Sequence, residues 1–390
     1  MDFSMTEDQK MLKAMLRDFA VKELEPVAAK VDEKAEFPAE QVQKIADLGL
    51  FGLTISEEYG GSGMGMTEVA LIVEEIAAGG AGSTVGQLFI LNPIFGGVAI
   101  ANHGTAAMKR ELLPKLCRGE FKFCMALTEP DAGINTTAIK SFAKPDGSGW
   151  RLNGRKIWIT AVPNSDKMLV IARTQRREDV KKPSHGISLF MIDVNREGLT
   201  HFPIEKLGTH TLTSSSVFFD NVRIEREELI GTEHMAWVEL WDVLNTERIV
   251  TSAAAIGSAR LALRLGVEYT TQRKVFGSTP IAAYQGVQFP FAEAHAMLSC
   301  AREMNFKAAW LCDQGRQYSS EANTAKYLAA EALAKATERS MHCMGGMGFS
   351  REMHVERLWR DSRLSQFAPV PQEMILNFIA QHDLGMPRGY

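Results

Sequence analysis

A mainly α chain with a β domain in its middle is the fold class that three observations predict. Apolar residues recur at helical spacing through residues 1 to about 118. Short apolar runs of strand length, bounded by turn residues, replace them from about 121 to 228. Alanine-rich stretches such as Ala253 to Ala262 and Ala325 to Ala336 then suit long, closely packed helices from about 234 to 382. The predicted domains are residues 1–119, 120–232 and 233–390.

Thr6 can cap a first helix on which Met11, Met15, Leu16 and Phe19 share one side. Phe37-Pro38 opens another helix that ends near Leu48-Gly49, and Gly60 to Gly65 reads as a flexible loop. Helix resumes over residues 67 to 78, until Gly79-Gly80-Ala81-Gly82 breaks it. The run Val85 to Ala101 is almost uncharged, which predicts burial, with Asn92-Pro93 as an interruption. Leu112-Leu113-Pro114 and Gly119 close this region. In the middle region, Trp150 to Gly154 reads as a strand entering a turn, and Lys156 to Thr160 as its continuation. Met168 to Ala172, Ile187 to Val194 and Val217 to Phe219 are further short strands. Arg176 to Ser184 is charged, contains Pro183 and reads as an exposed loop.

The composition is that of an ordinary globular protein, with 45% hydrophobic and 23% charged residues in a chain of 390. That length suffices for two or three domains with sizeable cores. A net charge of -4 gives no basis for nucleic acid or a membrane surface as partner. The cysteines (Cys117, Cys124, Cys300, Cys312 and Cys343) are odd in number and lack CxxC spacing. They argue against a disulfide framework or a zinc site and for a reducing compartment. His295, His342 and His354 lack metal-ligand spacing with carboxylates, so no metal site is expected. Met1 to Glu7 has neither a basic n-region nor an apolar h-region, and no apolar run reads as transmembrane. A cytoplasmic protein is the expectation.

Two stretches carry the chemistry. Phe123 to Gly133 passes from apolar, strand-like residues into a polar turn closed by Pro130 and Gly133, where backbone and a hydroxyl can meet a ligand. Lys156-Ile157-Trp158-Ile159-Thr160 sets a flat indole beside a hydroxyl. A flat aromatic cofactor needs such a wall, and a flavin ring also needs a hydroxyl near its reactive nitrogen. The pair resembles the flavin-binding pair of acyl-CoA dehydrogenases, usually A-L-T-E-P-x-A-G-S-D and W-I-T. The helical, β, helical order resembles that family's plan as well, over essentially the whole chain. The resemblance implies a helical N-terminal domain, a small β-barrel or sandwich and a C-terminal four-helix bundle. It implies FAD as cofactor, held by Met125, Leu127, Thr128, Gly133, Trp158 and Thr160. Arg273-Lys274-Val275-Phe276-Gly277 matches the family's R-x-x-F-G and is followed by Gln285. By resemblance Arg273, Phe276 and Gln285 serve the FAD of a neighbouring subunit, Arg273 as a charged fork on the pyrophosphate. Gly345-Gly346-Met347-Gly348 matches the G-G-x-G segment near the same phosphates, with His342 where the family usually has Gln. The usual Ser-Asp after Gly133 is Ile134-Asn135 here, which removes a hydroxyl and makes Ile134 a candidate substrate contact.

Dehydrogenating a thioester requires a base for the α proton while a hydride leaves the β carbon. It also requires hydrogen-bond donors for the thioester oxygen, where negative charge develops. In most of the family the base lies in a Y-E-G-T segment. Counted from Arg360-Asp361, the matching stretch is Phe367 to Glu373, with Pro369 in the glutamate's place and Val370-Pro371 in place of Gly and Thr. A minority, resembling isovaleryl-CoA dehydrogenase and crotonobetainyl-CoA reductase, carries the base earlier, in an E-R pair before an Ala-rich run. Leu244-Asn245-Thr246-Glu247-Arg248, followed by Ala253-Ala254-Ala255, matches that pattern. Glu247 is therefore the expected base. On a helix it shares a face with Leu244, Val250, Thr251 and Ala254, where burial would raise its pKa. Arg248 is expected to be a substrate contact or a structural ion-pair partner, and Glu373 is the rival carboxylate. Pro369 has no N–H for the thioester oxygen, so either Val370 supplies one or the oxygen is held differently.

The resemblance thus implies FAD-dependent α,β-dehydrogenation of an acyl-CoA thioester. Glu247 takes the proton, flavin N5 near Thr160 takes the hydride, and an electron-transfer flavoprotein takes the electrons. A homodimer or homotetramer is implied. Enoyl-CoA reduction in reverse, a flavin oxidase or monooxygenase on the same fold, and a non-catalytic paralogue stand as alternatives. Val85 to Ala101 is expected to line the acyl tail, with Gly86, Gly96 and Gly97 leaving room for a bulky group.

Overall fold

The computed structural model describes residues 4–82 and 84–388. Thr6 caps helix α1 (Glu7–Phe19). Its hydroxyl accepts from the Gln9 N–H and its own N–H donates to the Gln9 side chain. This reciprocal pair satisfies donors that a helix start leaves orphaned. Leu16 is fully buried, with Leu12 and Phe19 packed beside it, whereas Met11 and Met15 are exposed. The expected shared face is thus corrected. The buried stripe is the i, i+4, i+7 row Leu12, Leu16 and Phe19, and the two methionines lie one residue off it.

Helices α2 (Glu25–Lys34), α3 (Ala39–Asp47), α4 (Met66–Ile76), α5 (Thr84–Phe89), α6 (Ala99–His103) and α7 (Ala106–Cys117) complete the N-terminal part. Pro93 does not break its helix. The wide turns Ile90–Val98 absorb it and join α5 to α6. The resulting run Thr84–His103, at mean hydropathy 1.6, is long and apolar enough to cross a membrane, which corrects the expectation that no run is. In this fold 83% of that window is buried, as in a core helix. Nor do its glycines leave room for a ligand. A Cβ on Gly86 would lie 2.4 Å from that of Ala254, and one on Gly96 2.5 Å from the Phe123 ring. Close packing uses that space, so the expected acyl room is not at these positions.

The middle region holds β1 (Phe123–Ala126), β2 (Phe142–Asp146), β3 (Gly149–Thr160), β4 (Lys167–Arg173), β5 (Ile187–Asp193), β6 (Leu199–Ile204), β7 (Ser214–Ile224) and β8 (Leu229–Ile230). They form one sheet in the order β6-β7-β3-β2-β4-β5-β8, with β1 parallel beside β4. Strands β2 and β6 were not among the expected ones. Each carries a proline, Pro145 or Pro203, and little apolar alternation. The predicted turn at Gly154 is instead a bulge within a continuous β3.

The C-terminal part comprises α8 (Ala236–Gln272), a small hairpin of β9 (Lys274–Val275) and β10 (Thr279–Pro280), then α9 (Gln285–Asp313), α10 (Ser319–Met344), α11 (His354–Ser362) and α12 (Gln372–Phe378). Helix α8 packs on α9, α10 and α4. Two devices seat α4 on it. A Cβ on Gly257 would lie 2.3 Å from the Glu74 carbonyl oxygen, so only glycine permits that approach. Beside it, buried Glu74 and Glu75 meet Arg260 at 2.6 and 2.5 Å, and Arg302 meets Glu74 at 2.9 Å. Carboxylates removed from water need such partners. Gly257→Val forces the two helices apart and is expected to cost about 1–3 kcal/mol, read as a lower urea midpoint at unchanged slope.

Candidate active site

The loop after β1 is fastened to β3 by three hydrogen bonds. The Ile157 N–H donates to the Thr128 carbonyl at 2.9 Å. The Lys156 ammonium donates to the Leu127 carbonyl and to the Glu129 carboxylate, each at 2.9 Å. Glu129 also accepts from the N–H groups of Lys140 (2.6 Å) and Ser141 (2.9 Å). Both charged side chains are buried. Burial alone pushes the Glu129 carboxyl up, but the Lys156 charge and the N–H donors outweigh it and hold it below its usual value. Burial pulls Lys156 down to about 8, against the attraction of Glu129. One buried pair therefore holds together the two stretches singled out in the sequence.

Trp158 sits at φ 63°, a left-handed conformation that a bulky side chain rarely adopts. The β3–β7 register shifts between Lys156 and Ile159, so the strand bulges there. The bulge turns the indole out, 54% exposed, while Ile159 stays in the core. Thr160 lies opposite Ser214 and is half-buried, as are Thr128 and Met125. Leu127 is buried. Gly133 and Ile134 are exposed on the adjoining turn, and a Cβ on Gly133 would meet nothing within 4 Å. An open aromatic face flanked by Thr128 and Thr160, on two segments locked to each other, fits a flat ring system with polar edges.

Glu247 lies on α8 and is 7% exposed. Burial pushes its carboxyl up to about 7, against the opposing charges of Arg248 and Lys326. The Arg248 guanidinium donates to the Leu244 carbonyl (3.2 Å) and the Asn245 side chain (2.7 Å), and its buried Nε meets no partner among the described residues. Lys326 of α10, also buried, donates to the carbonyls of Ser365 (2.7 Å) and Val370 (2.8 Å). Val370 is thereby tied to the same cluster, and no backbone carbonyl among the described residues is seen to accept from its N–H. Glu373 is exposed in the first turn of α12, so the two rival carboxylates have opposite environments.

Sequence reasoning missed Lys326. The available signal was a lysine on the face that Ala322, Ala329, Ala330 and Leu333 share, all of them buried. It also missed the pairing of Glu129 with Lys156.

The remaining expected cofactor residues lie elsewhere. Arg273 caps the far end of α8, and Phe276, 96% exposed at φ 49°, tips the small hairpin. Gln285 is the first residue of α9 and is exposed. His342, Gly345 and Gly346 are exposed around the end of α10. At 1.5 Å per residue, Arg273 stands roughly 40 Å along α8 from Glu247. One chain does not bring these residues to the Glu247 cluster.

A helical, β, helical chain with an open aromatic wall and a buried carboxylate has the parts that a flavin-type oxidoreductase needs. Models of the acyl-CoA dehydrogenase N-terminal, middle and C-terminal domains match residues 6–120, 124–222 and 238–384. Acyl-CoA dehydrogenase FadE12 of Mycobacterium tuberculosis is 38% identical over 92% of this chain and 91% of its own. The 3-(aryl)acrylate reductase of Clostridium sporogenes is 35% identical over 92% of this chain and 94% of its own. A glutaryl-coenzyme A dehydrogenase in complex with glutaryl-CoA superposes with a TM-score of 0.94 at 31% identity, covering 99% of this chain and 98% of that one. The chain belongs to the acyl-CoA dehydrogenase family. It is an oxidoreductase acting on the CH–CH group of an acyl-CoA, and its cofactor is FAD.

Removing one partner of a buried ion pair strands the other. Lys156→Met is expected to cost about 3–5 kcal/mol by denaturant unfolding and to lower the flavin content of the purified protein. Lys156→Met with Glu129→Leu is expected to recover part of the stability but not the flavin.

Proposed function

We propose that Glu247 is the base that takes the α proton of an acyl-CoA thioester. Its burial beside two cations is the observation that carries the reading, because it leaves a carboxylate poised near neutral pH. Glu373 has no such environment. The Val370 N–H donates to the thioester oxygen in place of the donor that Pro369 lacks. Arg248 and Ile134 contact the substrate. FAD, when bound, supplies the acceptor for the hydride that leaves the β carbon. Met125, Leu127, Thr128, Gly133, Trp158 and Thr160 hold it from one chain. Arg273, Phe276, Gln285, His342, Gly345 and Gly346 hold it from a neighbouring chain, since they lie at the far ends of α8 and α10, away from the Glu247 cluster of their own chain. The working protein is accordingly a homodimer or homotetramer. Electrons leave to an electron-transfer flavoprotein. Five unpaired cysteines support a reducing, cytoplasmic setting.

The same residues serve the reverse reaction, in which Glu247 returns a proton to the α carbon. Similarity to the 3-(aryl)acrylate reductase favours that second reading.

Anaerobic mixing with a panel of acyl-CoA thioesters tests the proposal. One thioester is expected to bleach the flavin, with a rate that rises with pH to a midpoint near 7 as the carboxyl loses its proton. Glu247→Gln is expected to slow bleaching by about 10³-fold, whereas Glu373→Gln changes it by less than about threefold. The reverse outcome would move the base to α12. Sedimentation is expected to show a dimer or tetramer, with Phe276→Asp lowering both its mass and its flavin content.

A further inference from the structure

We propose that Lys326 is a positioning residue for the reaction, pinning Val370 by its carbonyl and setting a positive charge beside Glu247. The proposal rests on the reading of Glu247 as base and Val370 as donor.

Burying a lysine is costly unless its ammonium is engaged. Here the Lys326 ammonium spans two carbonyls, Ser365 at 2.7 Å and Val370 at 2.8 Å. These bracket the segment that holds Pro369, so the lysine closes the turn from across the bundle. Within Pro369-Val370-Pro371 the single backbone N–H is that of Val370. The Val370 carbonyl lies in the peptide plane after this N–H, so pinning it restrains the N–H through the φ and ψ of Val370, which the following Pro371 already restricts. A donor aimed in advance stabilises developing charge more than one that must reorient.

The second role is electrostatic. Glu247 faces Arg248 on its own helix and Lys326 on α10. Lys326 in turn faces Arg248, Glu247 and, from α12, Glu373, while Arg248 also faces Tyr318 at the start of α10. The cluster thus holds two cations against one buried and one exposed carboxylate. Without Lys326, burial would act on Glu247 with less opposition, and its carboxyl would hold its proton to higher pH. Burial also pulls Lys326 down to about 8, so its charge is lost over a range in which Glu247 is already ionised.

The test is the pH profile of anaerobic flavin bleaching, with thermal melting followed in parallel. Lys326→Met and Lys326→Gln are expected to move the acid-limb midpoint up by about 1 unit and to lower the plateau rate at least tenfold. Lys326→Arg, which keeps charge and donors, is expected to restore the midpoint. Wild type is expected to lose rate above about pH 8, and Lys326→Arg to lose that alkaline limb, a comparison that stands if the neutral variants do not fold. A lowered melting temperature with an unmoved midpoint and an unchanged alkaline limb would make Lys326 structural only and overturn the proposal. Bleaching that survives Glu247→Gln would instead overturn the base assignment itself, so the two failures are distinguishable.

Discussion

The buried ion pair of Lys156 with Glu129 is the constraint from which the exposed aromatic wall follows. An isolated charge in that position would be unaffordable in a dry interior. Paired, it is anchored further by the Leu127 carbonyl and two backbone N–H groups. The pair joins a loop and a strand that the chain separates by more than twenty residues, and its lysine lies two residues before the exposed Trp158. The left-handed Trp158 backbone costs free energy that a looser strand would release by relaxing. Packing of Ile159 in the core and the Lys156 anchor on the other side leave it no freedom to do so.

Helix α8 sets the larger geometry. It carries Glu247 in its first half and Arg273 at its far end, and it packs on α9, α10 and α4 among others. A rigid element of that length cannot fold its ends together. The residues proposed for FAD therefore divide into two groups, one around the β wall and one at the far ends of α8 and α10. The exposed Phe276 has the character of a side chain awaiting cover, since a fully solvated phenylalanine at a hairpin tip contributes nothing to the folding of its own chain. In the proposed assembly, association of subunits would supply both the cover and the other half of the cofactor site.

Much of this was legible in the sequence, for reasons that differ by element. The order of helical, strand and helical regions was readable because periodicities of 3.6 and 2 survive over tens of residues. Thr6 was readable as a cap because its partner Gln9 lies within the same turn. The passage from strand to turn over Phe123 to Gly133 and the strand that carries Trp158 were readable because turn residues and apolar strand runs are local signals. What escaped was long-range. No spacing rule pairs Glu129 with Lys156, and Lys326 finds Ser365 and Val370 across the bundle. The glycines of α5 and the segment after it looked like room for a substrate, yet Ala254 and Phe123 come from distant parts of the chain to fill it. Met11 and Met15 were misread because apolar residues at helical spacing do not say which of two adjacent stripes faces inward.

The most direct measurement is a crystal structure of the assembled protein with FAD and a thioester that is not turned over. Glu247 as base requires its carboxylate about 3–3.5 Å from the α carbon, with the Val370 nitrogen about 3 Å from the thioester oxygen. A thioester bound with its α carbon beside Glu373, or with Glu247 turned away into the bundle, would contradict the central claim.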